Sequence, residues 1–234
     1  MNAVKKILAR KLYLILASLF ITSLVVSNLI FQKFFFWYPF EIEIFGIRLF
    51  ELSVGILPYP ITFLITDIIS EIYGRRSANR VVVAGIFASF FSIGILWVAG
   101  VVPAIASSPI DDETFHQVFA LSPLAVLASM IAYLAAQFID IRIYHFWKDL
   151  TQGRHLWLRN NFSTFASQII DSSTVILLLC GFGVLPWDLF WGLTLSSILF
   201  KVAIAAIDTP FLYLFVGLFR RRFQLAVGEE LKLD

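Results

Sequence analysis

Six runs of about twenty mostly apolar residues, separated by short segments that hold nearly all the positive charge, leave this 234-residue chain few ways to fold. A bilayer core about 30 Å thick is crossed by roughly 20 helical residues. The runs fall at about 12–32, 53–73, 80–101, 121–143, 162–182 and 190–218. Only 15% of residues are charged, against about 25% in soluble domains, and 59% are hydrophobic. The first run is too long for a signal-peptide core and lacks an A-x-A site, so it is expected to be retained as a span.

The basic residues orient the spans. Lys5, Lys6, Arg10 and Lys11 precede the first; Arg75, Arg76 and Arg80 lie between the second and third. Arg142, Lys148, Arg154 and Arg159 sit around the connection from the fourth to the fifth, and Arg220, Arg221, Arg222 and Lys232 follow the sixth. That places 15 of the 18 basic residues on one side, with Lys33 and Arg48 opposite and Lys201 inside a span. By the positive-inside rule both termini are cytoplasmic. The expectation is an all-α integral membrane protein, one transmembrane domain over 1–234 with six transmembrane helices.

The external connections carry their own patterns. Residues 41–49 alternate at period two around Gly46, the signature of a short β-hairpin. Asp111 to Ala120 reads as a short amphipathic helix with Phe115, Val118 and Phe119 toward the bilayer surface. Pro58 and Pro60 at the outer end of the second span imply either a break that frees carbonyls or a simple kink. Gly74 fits a helix stop.

Polar residues inside the spans are the functional signal, because an ionisable group at the bilayer centre costs about 2.5–3.5 kcal/mol on insertion scales. Asn160 to Cys180 is of bilayer length yet holds Gln168 and Asp171. Asp67 with Glu71, Gln137 with Asp140, and Lys201 with Asp208 lie in other apolar stretches. At 1.5 Å per residue, Asp171 falls about 13 Å from the cytoplasmic face and Lys201 about 16 Å from the outer one. Asp67 lies slightly past the centre and Asn28 in the outer third. Gln168 and Asp171 share a helix face, as do Gln137 and Asp140. A polar pocket between the second, fifth and sixth spans is expected, with Lys201 paired to Asp171 or Asp67. Asp140 and Glu71 are expected near the cytoplasmic interface, Arg159 as an interfacial anchor, and His116, His145 and His155 in solvated loops. The five-residue echo between Ala136–Asp140 and Ser167–Asp171 is compatible with an inverted repeat.

No metal-ligand spacing or cofactor motif is present, and no P-loop, so this polypeptide carries no ATPase of its own. Cys180 is the single cysteine, which rules out an intrachain disulfide. Glycine-flanked aspartate motifs of intramembrane hydrolases are absent, so no enzymatic activity is expected.

Several motifs together resemble the bacterial queuosine precursor transporter family, a vitamin-uptake-like group. They are Phe50–Ser53 with Pro60–Gly74, Ala128–Leu134 running on to Gln137 and Asp140, Trp157–Thr164 leading to Ser167, Gln168 and Asp171, and Lys201 followed by Thr209–Pro210. The resemblance implies uptake of 7-deazaguanine bases (7-cyano- or 7-aminomethyl-7-deazaguanine, or queuine) for tRNA modification, across the bacterial cytoplasmic (inner) membrane. A guanine-like edge offers an N–H and an NH₂ side by side, which one carboxylate can accept bidentately. Its carbonyl wants a donor such as Gln, Asn or Lys, and its flat ring favours aromatic stacking. The candidate substrate-binding set is Asp171, Gln168, Asp67, Lys201, Gln137, Asp140, Glu71, Asn28, Ser163 and Asn161.

The expected partners are thus a small purine-like base and the lipid bilayer, with no nucleic acid and no cofactor. A secondary carrier or facilitator is the leading reading; the alternative is the membrane substrate-binding subunit of a multi-component ATP-driven vitamin importer. Oligomeric state carries no mark, although six-span carriers of this size often pair, which allows a homodimer. Proton symport and facilitated diffusion are not distinguished.

Overall fold

The computed structural model describes residues 3–31, 33–36, 43–44, 47–48, 51–119 and 123–232. Six α-helices follow one another: α1 (Ala3–Ile30), α2 (Tyr59–Val101), α3 (Asp112–Phe119), α4 (Pro123–Leu150), α5 (Leu156–Gly181) and α6 (Phe190–Phe223). All but α3 are long and apolar enough to cross a membrane, five candidate spans in all.

At 1.5 Å per residue an unbroken α2 of 43 residues would reach about 65 Å, twice a bilayer core. It is not unbroken. Gly74 takes φ 80° and ψ 169°, outside any helical region. On one side of it, Tyr73 donates to the Ala9 carbonyl at 2.9 Å, while Ser27, at the other end of α1, donates to the Gly55 carbonyl ahead of α2. On the other side, Tyr13 donates to the Ser77 carbonyl at 3.1 Å and Asn28 to Ser89 Oγ at 3.4 Å. Residues 59–73 and 75–101 thus run along α1 in opposite directions, and the chain reverses at Gly74. The positive φ is what calls for glycine, and a Cβ there would also lie 2.1 Å from Glu230 Oε2, so that this side chain's end would have to move. Gly85 likewise lets Phe20 of α1 approach, since a Cβ would meet its ring at 2.7 Å.

Residues 65–74 are buried at every position. This half of α2 is the axis of the bundle: Ile69 and Ile72 pack with Ala9 and Phe20 of α1, Ile141 and Tyr144 of α4, and Leu212 and Val216 of α6. The outward surface is the reverse of a soluble protein's, with Phe87, Phe91, Trp97, Trp191 and Ile207 all exposed, as acyl chains favour.

Several expectations need correction. Pro58 and Pro60 neither break nor kink a span. A 3₁₀ turn over Val54–Ile56, capped by Ser53, precedes them, and α2 begins at Tyr59 with Pro60 in its first turn, where no helical N–H is lost. α1, α4 and α5 each outrun the expected span, because hydropathy reports the lipid-embedded part while the helix continues through polar, helix-compatible residues such as Lys5, Lys148 and Asn160. Between α1 and α2, β1 (Phe34–Phe36) pairs antiparallel with β4 (Glu51–Ser53), Phe35 opposite Leu52. β2 (Glu43–Ile44) pairs with β3 (Ile47–Arg48), Ile44 opposite Ile47; the remainder of the expected hairpin at 41–49 lies outside the described residues. α3 is capped by Asp111, whose carboxylate accepts from Thr114 N at 2.8 Å.

Candidate functional site

The polar face of α5 organises the interior. Asn160, Ser163, Thr164, Ser167, Gln168, Asp171 and Ser172 recur at the helical period and all are buried. Their hydroxyls are partly satisfied within the helix: Ser163 donates to Asn160 O at 3.1 Å and Ser167 to Thr164 O at 3.0 Å. What faces inward, then, is a stripe of carbonyl-bonded hydroxyls with an amide and a carboxylate between them. Gln168 and Asp171 showed only part of this stripe; the signal for the rest was the 3.6-residue recurrence of small polar side chains.

Lys201 of α6 meets Asp171 at 2.5 Å and donates to Ser172 Oγ at 3.1 Å. Its Nζ also lies 4.5 Å from the centroid of the Tyr59 ring, which stands edge-on to Tyr133 at 5.7 Å. This group separates two spaces. The larger, about 390 Å³, lies toward the end remote from the basic clusters and is lined by Asn28, Phe31, Phe34, Tyr133, Asp171 and Leu185 among others. The smaller, about 20 Å³, lies between α2, α5 and α6 and is lined by Asp67, Asn160, Thr164, Gln168 and Asp208 among others. Its size admits about one water. Tyr59 and Lys201 line both.

Among the buried polar atoms without a hydrogen-bond partner, Tyr59 OH, Asp67 Oδ1 and Gln168 Oε1 belong to residues lining these spaces, and Gln137 Oε1 and Asp140 Oδ2 lie on α4, lining neither. Most buried polar atoms in folded proteins are paired, so such a group calls for explanation. Gln137 commits its amide nitrogen to Tyr133 OH at 2.9 Å, and Asp140 accepts from Ser167 Oγ at 3.0 Å, which leaves acceptor oxygens over. A ligand rich in N–H donors suits this interior.

Other candidates lie elsewhere. Glu71 and Asp140 are fully buried rather than hydrated at the interface. Glu71 forms the centre of an ionic cluster: Arg159 Nη2 reaches its Oε1 at 2.7 Å, Arg220 contacts the same oxygen, and Lys148 lies 3.8 Å from Oε2. Tyr144 donates to Oε2 at 3.1 Å, and Lys148 also pairs with Glu230 at 2.7 Å. Arg159 is no interfacial anchor; it has no exposure and further donates to the carbonyls of Gly153 and Arg154. The cause is the chain's end. After α6 it folds back, Leu231 N donates to Ile72 O at 2.6 Å, and Leu231 joins the core, sealing this region from water. His145 is buried, with its ring edge-on to Tyr144, and not solvated. Asn161 donates to Trp157 O and Thr209 Oγ1, a link between α5 and α6 away from both spaces, and Ser163 lines neither.

Long apolar helices around a chamber floored by a carboxylate, a lysine and a tyrosine define a multi-pass membrane protein with a polar, partly hollow interior, the class to which transporters belong. A family model described as "Putative vitamin uptake transporter" matches residues 53–215, and the chain belongs to that family. It is 29% identical over 174 residues to the "Probable queuosine precursor transporter" of Bacillus subtilis (strain 168), which covers 74% of this chain and 73% of that protein. No solved structure matches. The chain is a multi-pass transport protein of the bacterial cytoplasmic (inner) membrane.

Proposed function

We propose that this protein imports 7-deazaguanine bases, the precursors of queuosine in tRNA, across the cytoplasmic membrane. Residues 59–73 and 75–101 are taken as separate crossings, giving six in all. Both termini then lie in the cytoplasm with the basic clusters, and the 390 Å³ chamber faces outward. A base entering from outside meets Asn28 first and then the floor, where Asp171 accepts the paired N–H donors of the guanine edge. Asp67 and Gln168 lie one step inward, beyond Tyr59 and Lys201, as the next polar contacts on the way to the cytoplasm. Gln137 and Asp140 support from α4. Glu71 and Asn161 hold helices together, and Ser163 bonds back to its own helix, instead of touching the base.

One observation carries this reading: buried acceptor oxygens of Asp67 and Gln168 stand unpartnered on the inner cavity, with Asp140 beside Asp67, and the one lysine lining that cavity is already bonded to Asp171. That interior suits a neutral, donor-rich, flat solute better than an anion. The relative's name points to the same substrate class. The test is uptake of labelled 7-cyano-7-deazaguanine into liposomes holding only this protein. Accumulation or exchange without any ATPase is expected, and is expected to vanish in Asp171→Ala inserted at normal levels. A wild type that moves the base only when an ATPase partner is added contradicts the carrier reading.

A further inference from the structure

The rings around the two spaces are not equivalent. Phe31, Phe34 and Tyr133 line the outer chamber alone, and Phe63 and Phe200 the inner cavity alone. Tyr59 is the aromatic residue that lines both among the described residues. It starts α2, directly after the capped 3₁₀ turn that fixes how the helix begins, and its ring is held edge-on by Tyr133 and tilted against Phe63 at 5.3 Å. Over a face of the ring stands the ammonium of Lys201, 4.5 Å from the centroid. The hydroxyl is buried and borders the Asp171 carboxylate without a well-formed hydrogen bond.

Resting on the substrate reading above, we propose that the Tyr59 ring is the seat on which the flat base stacks, and that Lys201 is its place-holder, displaced when the base arrives. The chemistry of the exchange is matched on both counts. An aromatic face attracts a cation or a stacked heterocycle, and the two compete for the same ring. Asp171 accepts donors from an ammonium or from the adjacent N–H and NH₂ of a guanine edge. A base therefore replaces Lys201 on the Tyr59 ring and on Asp171 in one movement, the Ser172 contact being given up as well, and Tyr59 OH is placed to donate to the base carbonyl. The released ammonium does not face bare hydrocarbon. Lys201 already lines the inner cavity together with Asp67 and Asp208, two carboxylates without an ion pair among the described residues. Binding on the outer side thus shifts a positive charge toward the inner one, which couples the occupancy of the two spaces.

The test is equilibrium binding of 7-cyano-7-deazaguanine, guanine and adenine to purified protein carrying Tyr59→Leu, Tyr59→Phe or Tyr59→Trp, each checked for a monodisperse folded state. Tyr59→Leu loses the stacking surface and is expected to bind about 5- to 150-fold more weakly. Tyr59→Phe keeps the ring and loses one hydrogen bond, about 2- to 12-fold; Tyr59→Trp keeps a face and stays between wild type and Tyr59→Leu. Acylation of Lys201, followed by mass spectrometry, is expected to change rate when saturating base is added to wild type. Equal affinity of Tyr59→Leu and wild type, or a Lys201 reactivity indifferent to base, overturns the proposal. A Tyr59-dependent affinity for guanine or adenine without any for the 7-deazaguanine keeps the seat and discards the substrate.

Discussion

Replacing Glu71 by Gln tests how far the ionic cluster at the basic end stabilises the fold. Glu71 and Arg159 have no side-chain exposure and Lys148 has 5%, while Arg220 is 22% exposed. Removing the carboxylate's charge strands Arg159 with only neutral partners, the carbonyls of Gly153 and Arg154 and the Tyr144 hydroxyl. Lys148 fares better, because it keeps Glu230 and the carbonyls of Ser70 and Glu71. Losing one partner of a buried pair costs about 3–5 kcal/mol, and the retained Glu230 contact argues for the lower end, about 3 kcal/mol. That is roughly a hundredfold in the folded-to-unfolded ratio. Arg220→Gln is different in kind: its partner keeps Arg159, and its own guanidinium borders water, so about 1 kcal/mol or less is expected. Unfolding by SDS titration in mixed micelles, read by tryptophan fluorescence, gives both values. The double variant Glu71→Gln with Arg159→Gln should cost less than the two single changes added together, since each strands the other's charge. A Glu71→Gln protein within about 1 kcal/mol of wild type, or no costlier than Arg220→Gln, refutes this account of the cluster.

Gly74→Ala should destabilise by more than the usual glycine-to-alanine effect of about 1 kcal/mol, because it combines a left-handed φ with a clash against Glu230; thermal unfolding, alone and with Glu230→Ala, separates the two terms. Gln168→Leu removes an unpartnered buried acceptor, so stability should hold or rise while base uptake falls, a split that a purely structural glutamine would not show. Asn161→Ala should change uptake little and stability by about 1 kcal/mol, the worth of its link to Thr209, checked by the same SDS titration.

Much of this architecture was legible in the amino-acid order. The apolar runs identify the long helices, and Gly74 identifies the reversal between 59–73 and 75–101. Depth arithmetic put Asp171 and Lys201 at one level, and they meet there. What could not be read is what the rest of the chain does to a local pattern. Glu71, Arg159 and His145 look like interfacial residues because each stands near a basic connection, yet all three are buried, and the returning segment around Leu231 bonds to the residue next to Glu71. Neither hydropathy nor spacing reports a contact made across about 160 residues of chain, as that between Ile72 and Leu231 is. The site was divided for a related reason. A one-dimensional depth scale places Asp67, Gln168, Asp171 and Lys201 together, whereas the helix faces distribute them over two spaces with Tyr59 between. Tyr59 itself sits next to two prolines, where a turn signal masks a functional ring.

The central claim, that Asp171 at the floor of the outer chamber receives the edge of a guanine-like base, is tested most directly by equilibrium binding of labelled 7-cyano-7-deazaguanine to purified wild type and Asp171→Ala. Saturable binding by wild type, competed by unlabelled base and lost in a folded Asp171→Ala protein, is the expected result. Undiminished affinity in Asp171→Ala contradicts it.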